Sequence, residues 1–134
     1  MYLLVLIVVA AIGMVAYIRL APSDPAKWHQ QPAVSRDSDQ KNGVRRILEG
    51  DADTLYRLHN IIMDTDRTEM FAGSPADGMI TYISRSKAMG FPDYTTVWLD
   101  RGQIKIHGRL RFGRSDLGVN RNRVDGWLSI LKAR

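Results

Sequence analysis

Residues 109–123 carry five arginines, Arg109, Arg111, Arg114, Arg121 and Arg123, set among Ser115, Asp116, Asn120 and the turn-forming Gly113 and Gly118. A guanidinium group presents a planar fork of donors that grips carboxylate or phosphate in bidentate fashion. A glycine turn feeding a helix adds free backbone N–H groups at the positive end of the dipole. Cations in the first turn of a helix oppose that dipole, so Arg121 and Arg123 need a counter-charge. A bound anion is one source. The chain is another: Asp116 can accept from Arg114 or from the turn, and Asn120 can serve as N-cap. The candidate anion-binding set is Arg85, Arg109, Arg111, Arg114, Ser115, Asn120, Arg121 and Arg123. The rival reading is an internal lattice of arginine and aspartate.

A second constellation follows from strand register. Ile104, Ile106, Gly108 and Leu110 alternate with Lys105, His107, Arg109 and Arg111. Pairing Leu99 with Ile104 and Val97 with Ile106 turns the aliphatic side chains to one face. The other face then carries Tyr94 opposite Arg109, Thr96 opposite His107 and Trp98 opposite Lys105. An aromatic and basic face of this kind is either a solvated surface or a platform for an anionic partner.

Other chemistries find little support. His29, His59 and His107 are far apart and show no paired ligand spacing for a metal. No nucleophile elbow, Walker loop or dinucleotide fingerprint occurs. Ser115 and Asp116 with His107 match no arrangement from which catalysis can be argued, and Asp93 and Asp116 read better as arginine partners. The chain is expected to have no catalytic residue, no metal and no cofactor. Nothing matches an RNA-recognition motif, and nucleic acid is not an expected partner.

These residues need a frame to hold them. Strand signals lie at 68–72, 79–86, 93–99 and 103–111, joined by turns at 73–78 and 100–102. Leu55, Leu58, Ile61 and Ile62 have helical spacing behind an Asp51 or Asp53 cap, and Asp64 to Asp66 end that helix. Val124, Trp127, Leu128 and Leu131 mark a last helix over 120–132, with Lys132 and Arg134 at its negative end. Residues 43–48 can add a short strand. The expected fold is α+β, a two-layer domain over 43–134 with a four-stranded antiparallel sheet and two helices on one face.

Ahead of the domain, residues 2–18 carry no charge and no proline. About 17 residues make roughly 26 Å of helix, just enough for a hydrocarbon core of about 30 Å. Tyr2 and Tyr17 sit at the ends, where rings favour the headgroup layer. The expected reading is a single-pass anchor over 1–20, with the lipid bilayer as partner. A signal peptide would want a basic n-region and a small-x-small cleavage site, and a buried core helix is the remaining alternative. Arg19, Lys27 and Arg36 all follow the span and bias the domain towards the cytoplasm. Residues 21–42, with Pro22, Pro25, Pro32 and a polar run, are expected to be a flexible linker reaching about 25–30 Å. Trp28 is expected to dock on the domain or on the membrane interface.

Composition limits the partners. The chain has 134 residues, 19 Lys and Arg against 14 Asp and Glu, and no cysteine. The net charge of +5 attracts acidic partners, an anionic lipid, nucleic acid or an acidic protein, and a well-solvated surface is the rival reading. Absence of disulfides is compatible with either side of a membrane.

Several segments resemble a known family. They are Arg19-Leu20-Ala21-Pro22-Ser23-Asp24-Pro25 with Trp28-His29, then Ser84-Arg85-Ser86 and Met89-Gly90-Phe91-Pro92-Asp93-Tyr94. The series continues with Gly113-Arg114-Ser115-Asp116-Leu117-Gly118-Val119-Asn120-Arg121 and Trp127-Leu128. The chain resembles domain-of-unknown-function family fourteen-ninety-nine from the anchor to the C-terminus. It departs at Gly126, within the last helix, and at Arg109, where a small polar residue is expected. The resemblance brings no established activity with it, so it carries over no catalytic residue. It implies a protein of the bacterial envelope or the plastid, and so a periplasmic rather than cytoplasmic domain. Two functions follow as expectations: a non-catalytic module that binds an anionic ligand, or an assembly protein of the envelope held together by its arginine lattice.

Overall fold

A computed structural model describes all of residues 1–134. Helix α1 spans Tyr2–Leu20 and buries none of its residues. It is long and apolar enough to cross a membrane, a test that a signal sequence near the N-terminus also passes. Arg19 lies in its last turn, and the Ala21 N–H closes it on the Tyr17 carbonyl at 2.7 Å.

The domain is α+β, and its antiparallel sheet has six strands rather than the expected four. In chain order they are β1 Ser38–Gln40, β2 Gly43–Glu49, β3 Thr68–Ser74, β4 Met79–Arg85, β5 Pro92–Asp100 and β6 Gln103–Leu110. Their spatial order is β1-β2-β6-β5-β4-β3. Of the two strands beyond four, β2 is the short strand expected at 43–48 and β1 is unexpected. Strand β2 pairs along its whole length with β6, Gly43 opposite Arg109 through Glu49 opposite Gln103. Its Arg45-Arg46 pair obscures the alternation of Val44 and Leu48. Strand β1 is three polar residues and forms only because β2 lies beside it.

Four helices are present instead of an anchor and two. Helix α2, Pro25–Trp28, is a single turn started by Asp24, whose carboxylate accepts the Ala26 N–H at 3.0 Å, with proline at the first helical position. Helices α3, Ala52–Met63, and α4, Val119–Ala133, cover one face of the sheet. Asp51 is the α3 cap, in a reciprocal box with Thr54. Leu55, Leu58, Ile61 and Ile62 of α3 join Val124, Trp127 and Leu131 of α4 over Val44, Ile80, Val97, Ile104 and Ile106. Each such side chain contributes roughly 1.5–3 kcal/mol on full burial. Gly108 lets α4 approach: a Cβ there would meet Asn120 Oδ1 at 3.3 Å and Val124 at 3.4 Å.

The β5–β6 hairpin turns at Arg101 and Gly102, both with positive φ, as a tight two-residue turn demands. Its register pairs Leu99 with Ile104, Val97 with Ile106, Trp98 with Lys105, Thr96 with His107 and Tyr94 with Arg109. The aliphatic members face the helices.

The opposite face is not open. Residues 21–36, expected as part of a flexible linker, lie along it as a strap. Ser23 Oγ and Tyr94 Oη form a hydrogen bond. His29 Nδ1 and Thr81 Oγ1 lie 2.7 Å apart. Trp28 stacks on Tyr94, with ring centroids 4.2 Å apart and an interplanar angle of 8°. Val34 is buried further along.

Candidate functional site

The expected anion-binding residues separate into four places. Asn120, Arg121 and Arg123 lie in the first turns of α4, and their partners belong to the chain. Asp116 accepts the Gly118 N–H at 2.9 Å, the Asn120 N–H at 3.1 Å and Asn120 Nδ2 at 3.0 Å. The helix N-terminus that could have received an anion is thus occupied by Asp116. Arg123 donates to Asn120 Oδ1 at 3.0 Å and to Asp93 at 3.3 Å. Arg121 faces Asp39 at 3.9 Å. Burial pushes the Asp93 carboxyl above its ordinary range, with Arg123 opposing that shift.

Arg114 and Ser115 lie on the exposed β6–α4 loop. Ser115 Oγ accepts the Leu117 N–H of its own turn at 3.3 Å. Arg114 has no ion pair. Arg85 sits elsewhere, at the end of β4, and donates to the carbonyls of Arg19 at 3.0 Å and Gly90 at 3.1 Å.

Arg109 and Arg111 come together under the strap. Arg109 is only 9% exposed and has no carboxylate partner. Its guanidinium donates to Thr96 Oγ1 at 2.8 Å, to the His107 carbonyl at 3.0 Å and to the Trp28 carbonyl. Its Cζ lies 5.6 Å from the Trp28 ring centroid and 6.0 Å from that of Tyr94. Arg111 donates to Tyr94 Oη at 2.9 Å and to Ser23 Oγ at 3.2 Å, and lies 5.9 Å from the Trp28 centroid. Trp28 and Tyr94 are therefore a stacked pair flanked by two cations.

The aromatic and basic face exists, but it is covered. Tyr94 is fully buried and Trp98 is 2% exposed. Lys105 is paired with Asp100 at 2.8 Å. Beside Trp28 a cavity of about 290 Å³ is lined by Lys27, Gln30, Gln31, Pro32, His107 and Arg109. No acidic residue lines it.

Burial, with Arg109 and Arg45 adding like charge, pushes the His107 imidazole down to about 3 from 6.5. Burial likewise lowers Arg109 to about 10. Between pH 6.5 and about 3 the unfolded chain binds the His107 proton and the folded chain does not, so stability falls as pH drops through that window. Asp93, raised in the fold, works against this slope near its own titration. His107→Gln should flatten the fall in melting temperature below about pH 6.5. An acid limb as steep as in the parent chain would show that His107 is not its source.

A family model described as "Protein of unknown function (DUF1499)" matches residues 18–131. The chain belongs to the DUF1499 family. The DUF1499 match takes in the strap together with the sheet and both covering helices, as their contacts do. A comparison with curated proteins finds no match.

Sequence reasoning missed Lys27, Gln30 and Gln31 as neighbours of the arginines, and missed Trp28 as the ring between them. Two signals were present: Asp24-Pro25, which starts a helix, and a lone tryptophan in an otherwise polar stretch of this DUF1499 chain.

Proposed function

We propose that α1 anchors the chain in a bilayer and that the domain is a non-catalytic module binding a small anion in the cavity beside Trp28. The observation that carries the reading is Arg109, a buried guanidinium with only neutral acceptors. A buried charge without a counter-charge costs several kcal/mol. Lys27, Gln30 and Gln31 add donors at the rim, Trp28 supplies an apolar wall, and no protein carboxylate competes. Bound charge would supply the counter-charge that Arg109 lacks, beside an imidazole that its burial keeps neutral.

The full chain in neutral detergent tests this with inorganic phosphate, acetate and citrate at low and high salt. At least one of these anions should raise the melting temperature at low salt, and Lys27→Ala should weaken its binding several-fold with the unliganded melting point unchanged. If no anion in the panel binds, or if Lys27→Ala leaves binding intact, the cavity is not an anion site.

The second reading is an assembly role in the envelope. The Arg123–Asp93 pair and the Arg46 contacts with Asp39 and Asp125, at 2.7 and 2.8 Å, favour it, since they make that part of the arginine set internal scaffolding.

A further inference from the structure

We propose that a second basic cavity, at the exit of α1, holds the headgroup phosphate of an anionic lipid. The inference rests on the reading that α1 lies in a bilayer. It concerns different residues from the cavity beside Trp28.

The cavity measures about 330 Å³ and forms where β3, β4 and the β4–β5 loop meet the last turn of α1. Four cations line it, Arg19, Arg67, Arg85 and Lys87, against one acid, Glu69. These cations come from three stretches of chain, and none is in an ion pair. The ion pairs that do form use Arg46, Arg57, Arg101, Lys105, Arg121 and Arg123. Like charges gathered around one opening repel unless an anion joins them.

The geometry is held in place. Arg85 bridges the carbonyls of Arg19 and Gly90, tying the helix end to the loop. Arg67, itself at φ 55°, donates from Nε to the Arg85 carbonyl at 3.3 Å. Gly90 has φ 69°, and a Cβ there would come within 2.8 Å of Arg19 Nε, so the glycine makes room for that side chain across the loop. The remaining N–H groups of Arg19 and Arg67 and the whole Lys87 ammonium have no protein acceptor. Guanidinium forks and an ammonium suit the non-bridging oxygens of a phosphate.

Depth selects the lipid as its source. Arg19 follows the apolar span directly, which puts it among the headgroups when α1 crosses the bilayer. The Tyr17 ring meets Phe112 of the domain edge-on at 6.2 Å. The domain therefore rests at the surface, and the cavity opens at the level of the phosphates, where basic residues attract anionic lipid.

Two measurements on the full chain test this. First, flotation with pure phosphatidylcholine vesicles reports the anchor alone; a chain that fails to float removes both the anchor and this site. Second, the chain in neutral detergent is titrated with short-chain phosphatidylglycerol, short-chain phosphatidylcholine and inorganic phosphate, with binding read by native mass spectrometry. Phosphatidylglycerol should bind at least tenfold more tightly than the other two, and the R67Q/K87Q variant should lose at least tenfold of that affinity. Arg67 and Lys87 are exposed and carry no ion pair, so the fold should persist. The single variant Lys87→Gln, with a smaller loss in the same direction, guards against misfolding of the double one. Equal binding of phosphatidylglycerol and phosphatidylcholine, or an unchanged R67Q/K87Q, overturns the site. Inorganic phosphate binding as tightly as phosphatidylglycerol overturns the lipid as its ligand.

Discussion

Replacing Arg123 with alanine should lower the unfolding free energy by about 3–5 kcal/mol, the cost of leaving a buried charge without its partner. The Arg123 and Asp93 side chains are 17% and 16% exposed and meet at 3.3 Å. Arg123 also donates to Asn120, which is fully buried and donates in turn to Asp116 at the head of α4. Its removal strips Asp93 of its cation and leaves it beside Asp116, which already pushes its carboxyl upwards. Asp93 then takes up a proton in the folded state at a higher pH than in the unfolded one. A carboxyl raised in this way favours the fold at low pH and loses that contribution as pH rises. The deficit of the variant should therefore be smaller near pH 4 than near pH 7, by on the order of 1.4 kcal/mol for every tenfold weakening of the acid. Asp93→Asn in the same chain should restore part of the loss, because the stranded charge is gone. Urea denaturation at both pH values is the measurement. A loss under about 1 kcal/mol at neutral pH would place this pair among ordinary surface ion pairs.

Trp28→Ala should detach the strap and cost about 3 kcal/mol, the lower end for losing a large aromatic from a packed site. The indole is partly exposed, but it stacks on a fully buried tyrosine and lies beside two guanidinium groups. Its carbonyl accepts from Arg109, so the backbone is fastened at the same point. Without the ring, Arg109 and Arg111 lose the indole contact, keeping only Tyr94 and Phe112 respectively, and Tyr94 meets water. Trypsin should then cut at Lys27 and Arg36 faster than in the parent chain, and Trp28→Phe should recover most of the protection. If Trp28→Ala digests at the parent rate and melts within a degree or two of it, the strap is not held by the indole.

The parts of the fold that were legible are those where side-chain periodicity is strict. Val97, Leu99, Ile104 and Ile106 alternate without interruption, which is enough to set the register of β5 on β6. Leu55, Leu58, Ile61 and Ile62 mark the buried stripe of α3 just as directly. Strand β1 was not legible, because Ser38, Asp39 and Gln40 have no strand preference and owe their conformation to a neighbour. The strap was misread for a related reason. Prolines and polar residues are the marks of a linker, and here they accompany an ordered segment held by one ring, a few hydroxyls and backbone carbonyls. The candidate site suffered in turn: the outward set of Tyr94, Trp98, His107 and Arg109 was visible as a face, but nothing local to those strands tells that it is covered. The arginine turn showed the reverse, since Asp116 was in view as a partner all along and does occupy the head of α4.

The two borders of the sheet limit what neighbouring copies can do to one another. On one side lies β1, three residues long and carrying Asp39. On the other lies β3, whose ladder with β4 breaks register between Met70 and Ala72. Short, charged or bulged borders make poor templates for another strand. Copies crowded into a shared two-dimensional layer would meet often, and a long flat border there would invite runaway polymerisation. This sheet is blunted at both margins, so neither border offers a neighbouring copy a long, regular template for strand addition.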